Sequence, residues 1–367
     1  MRHSRSIFAL LLCALAVSCG PPKDEPRRTA PRPIDERPFV PPREVAEPDL
    51  TEGKQHIRAG AWDAALKWFE EAIKRNPSDS RPAFYRAVCL YNLKRNQEAV
   101  EAYIAASKLK PSFFELWLNL GSVLIVTSQP ARAVKALEQA LKFQPRSPDA
   151  WLNLGVAHEE AKDLQAAARA LEKAASYGPT RADIHLAHAD VLRKLGQHAA
   201  AAKAYQEADE RRPGDLYTLI NLALAHAKTN QGAEAEKALT KARNLKPDNL
   251  RVQMAAGLIY GLLKRYADAE KAYAAALTQK PDQPALLLMM GRAQLDQRKL
   301  ADAVRTITRA KTLGGAKLPS ADFWLAEAHR QAGRCPKAKP LYRSYLQAEP
   351  KGTLADQAKA HLENCRK

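Results

Sequence analysis

A pattern of small, large and helix-ending residues recurs every 34 residues along most of this 367-residue chain. One copy, residues 151–179, reads WLNLGVAHEEAKDLQAAARALEKAASYGP. Its apolar residues recur at helical spacing on both sides of a polar break at Lys162 and Asp163, which predicts two helices joined by a turn. Pro179 ends the second helix, because proline cannot continue one. Each copy is therefore a predicted helical hairpin.

Three positions keep small or helix-ending residues in all nine copies. The second predicted helix always carries one alanine: Ala65, Ala99, Ala133, Ala167, Ala201, Ala235, Ala269, Ala303 and Ala338. The first helix carries glycine or alanine: Gly53, Ala87, Gly121, Gly155, Ala189, Ala223, Gly257, Gly291 and Ala326. The copies close with Pro77, Pro111, Pro145, Pro179, Pro213, Pro247, Pro281, Gly315 and Pro350. Small side chains at such positions let two helices approach closely.

This pattern resembles the tetratricopeptide repeat, which has a Trp, a Leu-Gly pair, an aromatic, an Ala and a closing Pro at these positions. The resemblance implies an all-α fold, an α-solenoid wound as a right-handed superhelix of nine hairpins with a C-terminal capping helix. The predicted repeats are 46–79, 80–113, 114–147, 148–181, 182–215, 216–249, 250–283, 284–318 and 319–352, and the capping helix is 353–367. Leu318 is the one residue that interrupts the period.

The length of the chain would suffice for two or three compact domains. Stacked repeats, however, bury their core between neighbours and need not divide. We therefore expect one elongated array. No segment shows the alternation and turn signals of a β-sheet.

The first 18 residues have the composition of an export signal. Arg2 and Arg5 precede an apolar run over residues 7–17, and small residues lead into Cys19. That run is too short to span a bilayer, which needs about 20 residues. The sequence AVSCG resembles a bacterial lipoprotein box, which implies acylation of Cys19 and a signal peptide over residues 1–18. The alternative is a plain secretory signal that leaves Cys19 free.

Residues 19–45 are rich in proline and charge and have too few apolar residues to build a core. They are a predicted disordered tether, which would reach roughly 80 Å as an extended polyproline segment. Gly20 follows Cys19, and the lipoprotein resemblance then implies no signal for retention at the inner membrane. We expect the protein at the periplasmic face of the outer membrane.

The chain is basic, with a formal net charge of +18. Arg2 and Arg5 supply two of these charges and residues 19–48 balance six basic with six acidic residues, which leaves +16 on the repeats. Such an excess favours acidic proteins, anionic lipid or nucleic acid as partners, or it is simply a solvated basic face. Export argues against nucleic acid.

The cysteines of the repeats predict one disulfide. If the last helices fold back antiparallel near Pro350, Cys335 and Cys365 come together, and a disulfide would fasten the capping helix. The alternative is two unrelated thiols. Cys89 fits a packed helix interior.

No motif in the sequence indicates catalysis. There is no Gly-rich phosphate loop, nucleophile elbow or zinc-protease motif, so we expect no enzyme activity and no cofactor. His185 and His188 have a spacing that would place two imidazoles on one helical face, but no third metal ligand is evident and packing is the simpler interpretation. Packing in the aromatic position is also expected for His56, His158, His226 and His329.

The family resemblance implies that the first helices line a groove for extended peptides. Asparagines in such a row can donate to and accept from a peptide backbone, and apolar residues on both sides would hold an amphipathic segment. The alternative is that these residues pack against the next repeat. The predicted contacts are Phe84, Val88, Tyr91, Asn119, Asn153, Asp190, Arg193, Asn221, Leu224 and Leu258.

These observations predict a membrane-anchored scaffold or assembly factor that binds an envelope protein or peptide segment in its groove. Pilotin-like lipoproteins, which help to assemble secretins, are the model for this function. The alternative is a binder of anionic envelope polymer or lipid through the basic face. The sequence does not indicate the oligomeric state.

Overall fold

The computed structural model describes residues 50–109 and 112–365, of which 80% are helical. Within these ranges there are 19 α-helices and no β-strand, so the predicted all-α fold of successive hairpins is confirmed. None of the helices in this part of the chain combines the length and apolarity of a bilayer-spanning segment.

In chain order the helices are α1 (Thr51–Arg58), α2 (Trp62–Arg75), α3 (Ser80–Asn92), α4 (Asn96–Ser107), α5 (Phe114–Val126), α6 (Pro130–Phe143), α7 (Pro148–Glu160), α8 (Leu164–Tyr177), α9 (Ala182–Lys194), α10 (His198–Arg211), α11 (Leu216–Lys228), α12 (Gly232–Leu245), α13 (Leu250–Leu262), α14 (Tyr266–Gln279), α15 (Pro284–Asp296), α16 (Leu300–Gly314), α17 (Ser320–Gln331), α18 (Cys335–Ala348) and α19 (Ala355–Asn364). In each repeat the odd-numbered helix comes first and is called the A helix. The even-numbered B helix follows, and α19 is the capping helix.

The A helices of repeats two to eight begin at the first residue of the predicted repeat, from Ser80 in α3 to Pro284 in α15. In the ninth repeat α17 begins one residue later, at Ser320. A short 3-10 turn, Gly315–Lys317, precedes the extra residue Leu318. The start of the first repeat, the predicted signal peptide and the predicted tether lie outside the described residues.

The described residues form two compact units, an N-terminal unit of residues 50–213 and a C-terminal unit of residues 214–365. The repeat period continues through this boundary without an insertion. Each unit has aromatic side chains at the centre of its core. Fully buried examples are Phe84, Tyr85, Tyr103 and Tyr205 in the N-terminal unit, and Tyr273, Phe323 and Tyr342 in the C-terminal unit.

In five of the hairpins, a glycine of the A helix faces a large residue of the B helix. A Cβ atom added to Gly155 would lie 2.5 Å from Cγ of Leu171, so any larger side chain must displace the partner helix. Four further glycines have the same relation to the residue 16 positions later, in the pairs Gly53 and Phe69, Gly121 and Leu137, Gly257 and Tyr273, and Gly291 and Ile307. The nine B-helix alanines are all completely buried.

Every A helix ends in the same left-handed turn. Its central residue has a φ between 57° and 74° in all nine repeats: Gly60, Lys94, Ser128, Lys162, Gly196, Asn230, Lys264, Arg298 and Gly333. The next N–H then bonds back across the helix end, as from Arg95 to the carbonyl of Leu90 at 2.9 Å. This is a helix-ending motif in which glycine is the usual residue, because a Cβ atom is strained there.

The structure pairs Cys335 and Cys365, with their Cα atoms 5.4 Å apart, as the sequence predicted. The bond joins the start of α18 to the residue that follows α19. Cys89 is a buried free cysteine, and burial raises the pKa of its thiol to about 12.

Replacing Arg298 by glycine should raise the free energy of unfolding by about 0.5–1 kcal/mol. The left-handed conformation costs a non-glycine residue about 1–2 kcal/mol, and the greater entropy of glycine in the unfolded chain offsets part of that gain. Urea unfolding followed by circular dichroism measures the change. The converse variant, Gly196→Ala, has no atom within 4 Å of the new Cβ and should be destabilised by backbone strain alone. Equal stability of both variants and the wild type would contradict this explanation.

Candidate partner-binding surface

Most of the predicted apolar contacts are core residues. The exposed fraction is 0% for Phe84, 1% for Val88, 7% for Tyr91 and 2% for Leu258. The ring of Phe84 lies 5.1 Å from that of Phe113, the residue immediately before α5 of the next repeat, so it helps to hold adjacent repeats together. This corrects the expectation that a partner contacts these four residues. Leu224 remains half-buried.

The charged residues of the predicted groove are bonded within their own repeat. The hydroxyl of Tyr205 on α10 donates to Asp190 Oδ1 at 2.5 Å, and Arg193 Nε donates to that hydroxyl at 3.1 Å. Asp190 is only 5% exposed. It therefore joins α9 to α10 and is not available to a partner, which corrects its predicted role. Arg193 is half-buried.

The ninth repeat has the same arrangement at equivalent positions. The hydroxyl of Tyr342 on α18 donates to Glu327 Oε2 at 2.8 Å, and Arg330 pairs with the same carboxylate. The capping helix adds His361, whose Nδ1 lies 2.9 Å from Glu327 Oε2. Burial alone would raise the pKa of Glu327, but hydrogen bonds from His361 and Arg330 outweigh it and hold the pKa well below its usual range.

Sequence reasoning missed both of these clusters. Each consists of an acidic residue on the A helix, an arginine three residues later and a tyrosine fifteen residues after the acid. That spacing was visible in the sequence, but it is informative only once the hairpin geometry is known.

The three predicted asparagines differ in what they offer. Asn119 is half-buried, whereas Asn153 is 1% exposed and donates from Nδ2 to Ser122 Oγ at 2.8 Å. The carbonyl oxygen of Asn153 has no hydrogen-bond partner among the described residues. Asn221 is 7% exposed and donates to the carbonyl of Tyr217, so its amide is already used within its helix.

A mostly buried polar patch with one exposed apolar side chain surrounds the first two asparagines in the N-terminal unit. Asn119, Ser122 and Val126 recur at helical spacing along one side of α5, and Asn153 of α7 joins them through Ser122. Val126 is 44% exposed, which is unusual for a large apolar residue of this unit. We call these four residues the asparagine patch. It combines a half-buried amide, an unpartnered carbonyl and an apolar side chain.

Comparison with known families agrees with this architecture. Models described as tetratricopeptide repeat match residues 50–112, 118–176, 163–215 and 288–353, and a second such model matches 192–259 and 262–312. Together they cover well over half of the chain. The chain belongs to the tetratricopeptide repeat family. No curated protein sequence matches it.

Solved structures with the same fold include a tetratricopeptide repeat protein from Parabacteroides merdae, at 17% identity and a TM-score of 0.55, covering 69% of this chain and 99% of that one. The C-terminal part of a repeat protein from Cytophaga hutchinsonii has 19% identity and a TM-score of 0.51, covering 66% and 98%. A chain of the APC/C hetero-tetramer Cut9-Hcn1 has 14% identity and a TM-score of 0.48, covering 83% of this chain, which spans 59% of its length. At these identities the likeness to the Parabacteroides and Cytophaga structures shows the fold alone.

The Trp position of the tetratricopeptide repeat has a defined role here. Trp151 Nε1 donates to the carbonyl of Pro145, the closing proline of the preceding repeat, at 2.8 Å. His185 Nε2 lies 3.0 Å from the carbonyl of Pro179, and Gln253 Nε2 donates to that of Pro247 at 2.6 Å. Tryptophan, histidine and glutamine therefore make the same bond between consecutive repeats.

This bond explains why histidine replaces tryptophan at residue 185. His185 Nδ1 also lies 2.8 Å from Glu207 Oε2, so both ring nitrogens face protein acceptors. The described residues contain no group of three or more His, Cys, Asp or Glu arranged to hold a metal ion. Among the other histidines, His56, His158 and His226 are half-buried and His329 is buried in the C-terminal unit.

His188 fills a position that other tetratricopeptide repeats of the chain give to leucine, as at Leu120 and Leu154. Burial lowers the pKa of His188 from its usual value and outweighs the opposing effect of the Glu172 carboxylate. The neutral ring is therefore the form that fits the folded state.

Replacing His188 by leucine should raise the free energy of unfolding by about 1 kcal/mol at neutral pH, because an apolar side chain gains more from burial. The folded pKa lies below the unfolded value of about 6.5, so the stability from neutral His188 is complete above that pH and is lost as pH falls through the folded pKa. Urea unfolding between neutral and mildly acidic pH should thus show a growing advantage for His188→Leu. His188→Gln is the control, since it removes the pH dependence without the apolar gain. An advantage that does not grow on acidification would refute the assignment.

Proposed function

We propose that this tetratricopeptide repeat protein is a lipid-anchored scaffold of the bacterial cell envelope that binds an extended segment of another envelope protein on the asparagine patch. Proteins of this fold serve as protein-interaction scaffolds, and the described residues contain no arrangement that suggests catalysis. The observation that carries the location is the unpartnered carbonyl of buried Asn153 in the same patch as half-buried Asn119.

The patch has the groups that a peptide backbone needs. A backbone in an extended segment offers an N–H and a carbonyl at each residue, and an asparagine side chain can pair with both. The bond from Asn153 Nδ2 to Ser122 fixes which end of that amide is used, so its buried carbonyl lacks a partner and would pair with an N–H of a segment that displaces the side chains covering it. Val126 lies two turns along α5 from Asn119 and would contact an apolar side chain of the same segment.

The anchor rests on the sequence. An acylated Cys19 would hold the protein at a membrane surface, because each buried methylene of an acyl chain contributes about 0.8 kcal/mol. The tether of residues 19–45 would then separate the repeats from the bilayer. We place the protein at the periplasmic face of the outer membrane, with protein and not nucleic acid as its partner.

Replacing Asn119 and Asn153 together by alanine should weaken partner binding by about 10-fold or more, because each lost hydrogen bond costs about 1 kcal/mol. The partner is first captured by a photo-crosslinking residue placed at Val126 in membranes, identified by mass spectrometry, and then titrated against the purified chain. Asn221→Ala is the matched control, since its amide is bonded within α11, and it should bind like the wild type. Equal affinity of all three proteins, or no specific crosslink from Val126, would refute the proposed site.

Acylation is tested separately on the mature protein. Mass spectrometry should find the N-terminus at Cys19 carrying fatty acyl chains, and Cys19→Ser should move the protein from the membrane to the soluble periplasmic fraction. An unmodified Cys19 in a membrane-associated wild-type protein would contradict the anchor while leaving the asparagine patch untouched.

A further inference from the structure

The last B helix carries basic residues that no acidic neighbour neutralises. Arg334 precedes α18, and Lys337, Lys339 and Arg343 lie along it, while the sequence has no acidic residue between Glu327 and Glu349. All of the four basic residues except half-buried Lys339 are exposed. None of them forms an ion pair within the described part of the chain. We call these four residues the terminal basic patch.

The carboxylates of the neighbouring A helix, α17, are already engaged. Glu327 accepts from Tyr342 and Arg330, and Asp322 pairs with Lys311 and accepts from Ser344. These carboxylates therefore leave the patch with an uncompensated positive charge.

That field acts on the neighbouring histidine. The pKa of His329 is lowered by burial and, in addition, by Lys337 and Arg334. A nearby cation lowers a histidine pKa because it disfavours a second positive charge.

Basic residues of some other helices have an acidic partner on the same helix. Arg95 is three residues before Glu98 and pairs with it, and Arg305 pairs with Asp302 in the same way. On α18 the corresponding neighbours are alike in charge, since Arg334 and Lys337 are three residues apart and Lys339 and Arg343 four. Like charges at these spacings destabilise a helix, so these residues make α18 less stable when they face only water.

The disulfide holds the patch in place. Cys335 lies between Arg334 and Lys337, and its bond to Cys365 fastens the start of α18 to the end of the capping helix. The four cations therefore project from a helix whose N-terminal end is covalently fixed. From Arg334 to Arg343 they extend over roughly 13 Å, which is longer than one phosphate group.

We infer that the terminal basic patch binds the headgroups of an anionic phospholipid bilayer. Clusters of four or more Lys and Arg on a helix are attracted to such surfaces, with a gain that decays within a Debye length. Separate cations match a layer of separate phosphates. A lipid chain at one end of a protein gives stronger attachment when a basic patch acts with it. The binding mode is independent of the asparagine patch.

The test compares the full chain with a variant in which Lys337, Lys339 and Arg343 are changed to glutamine. Both carry Cys19→Ser, so that no acyl chain contributes. Binding is measured by sedimentation with vesicles of phosphatidylcholine alone and with vesicles of phosphatidylcholine and phosphatidylglycerol in equal amounts. The matched control changes Lys237, Lys271 and Lys280, three exposed lysines of the same unit, to glutamine. Both variants therefore lose three positive charges.

We expect the wild type and the control to bind the phosphatidylglycerol vesicles far better than phosphatidylcholine alone, and to lose this preference at high salt. The patch variant should bind the anionic vesicles about 100-fold more weakly, from roughly 5-fold for each cation. Circular dichroism melting checks that it folds.

Equal losses in the two variants, or no preference of the wild type for phosphatidylglycerol, would overturn the proposal. So would binding of soluble polyphosphate without binding of the vesicles. Crosslinking from Val126 should be unchanged in the patch variant, so failure here leaves the proposed scaffold function standing.

Discussion

The close contact between a glycine of the A helix and a large residue of the B helix, present in five hairpins, is the constraint on which the rest of the structure depends. Gly155 leaves room for Leu171, and the B-helix alanine Ala167 is completely buried. Because the helices approach this closely, the A helix also packs against neighbouring repeats. Its apolar side chains are buried in that packing. What remains at the surface is decided by the same contact, since a side chain is accessible only where no neighbouring helix covers it.

The fold could be predicted from the sequence because the small, large and helix-ending residues that determine it recur with a fixed period. Seven A helices begin where the period starts, and the pairing of Cys335 with Cys365 follows from the antiparallel return of the last helices. The surface was less readable. Val88 occupies a position that the family resemblance assigns to the groove, yet it is buried in the structure. The repeat spacing does not predict how closely adjacent A helices approach, so the burial of Val88 could not be predicted from it. Asp190 likewise accepts a hydrogen bond from Tyr205, fifteen residues away, and is not available to a partner.

The accessible groups fall into two chemically different surfaces. In the N-terminal unit the asparagine patch offers neutral hydrogen-bonding groups and one apolar side chain, which suits a peptide backbone. In the C-terminal unit the terminal basic patch offers charge without a pocket, which suits a layer of anions. The same chain can therefore present a protein partner and a membrane surface with separate recognition chemistry, and neither requires a catalytic group.

The most direct test of the account is the coupling between Gly155 and Leu171 in urea unfolding. Gly155→Val should lower the free energy of unfolding by about 1–3 kcal/mol, because the new methyl groups overlap Leu171. Adding Leu171→Ala should make room for the valine, so the double variant should be more stable than the sum of the two single changes by about 1 kcal/mol or more. Strictly additive changes would show that the two helices are not held together by this contact, and would contradict the account.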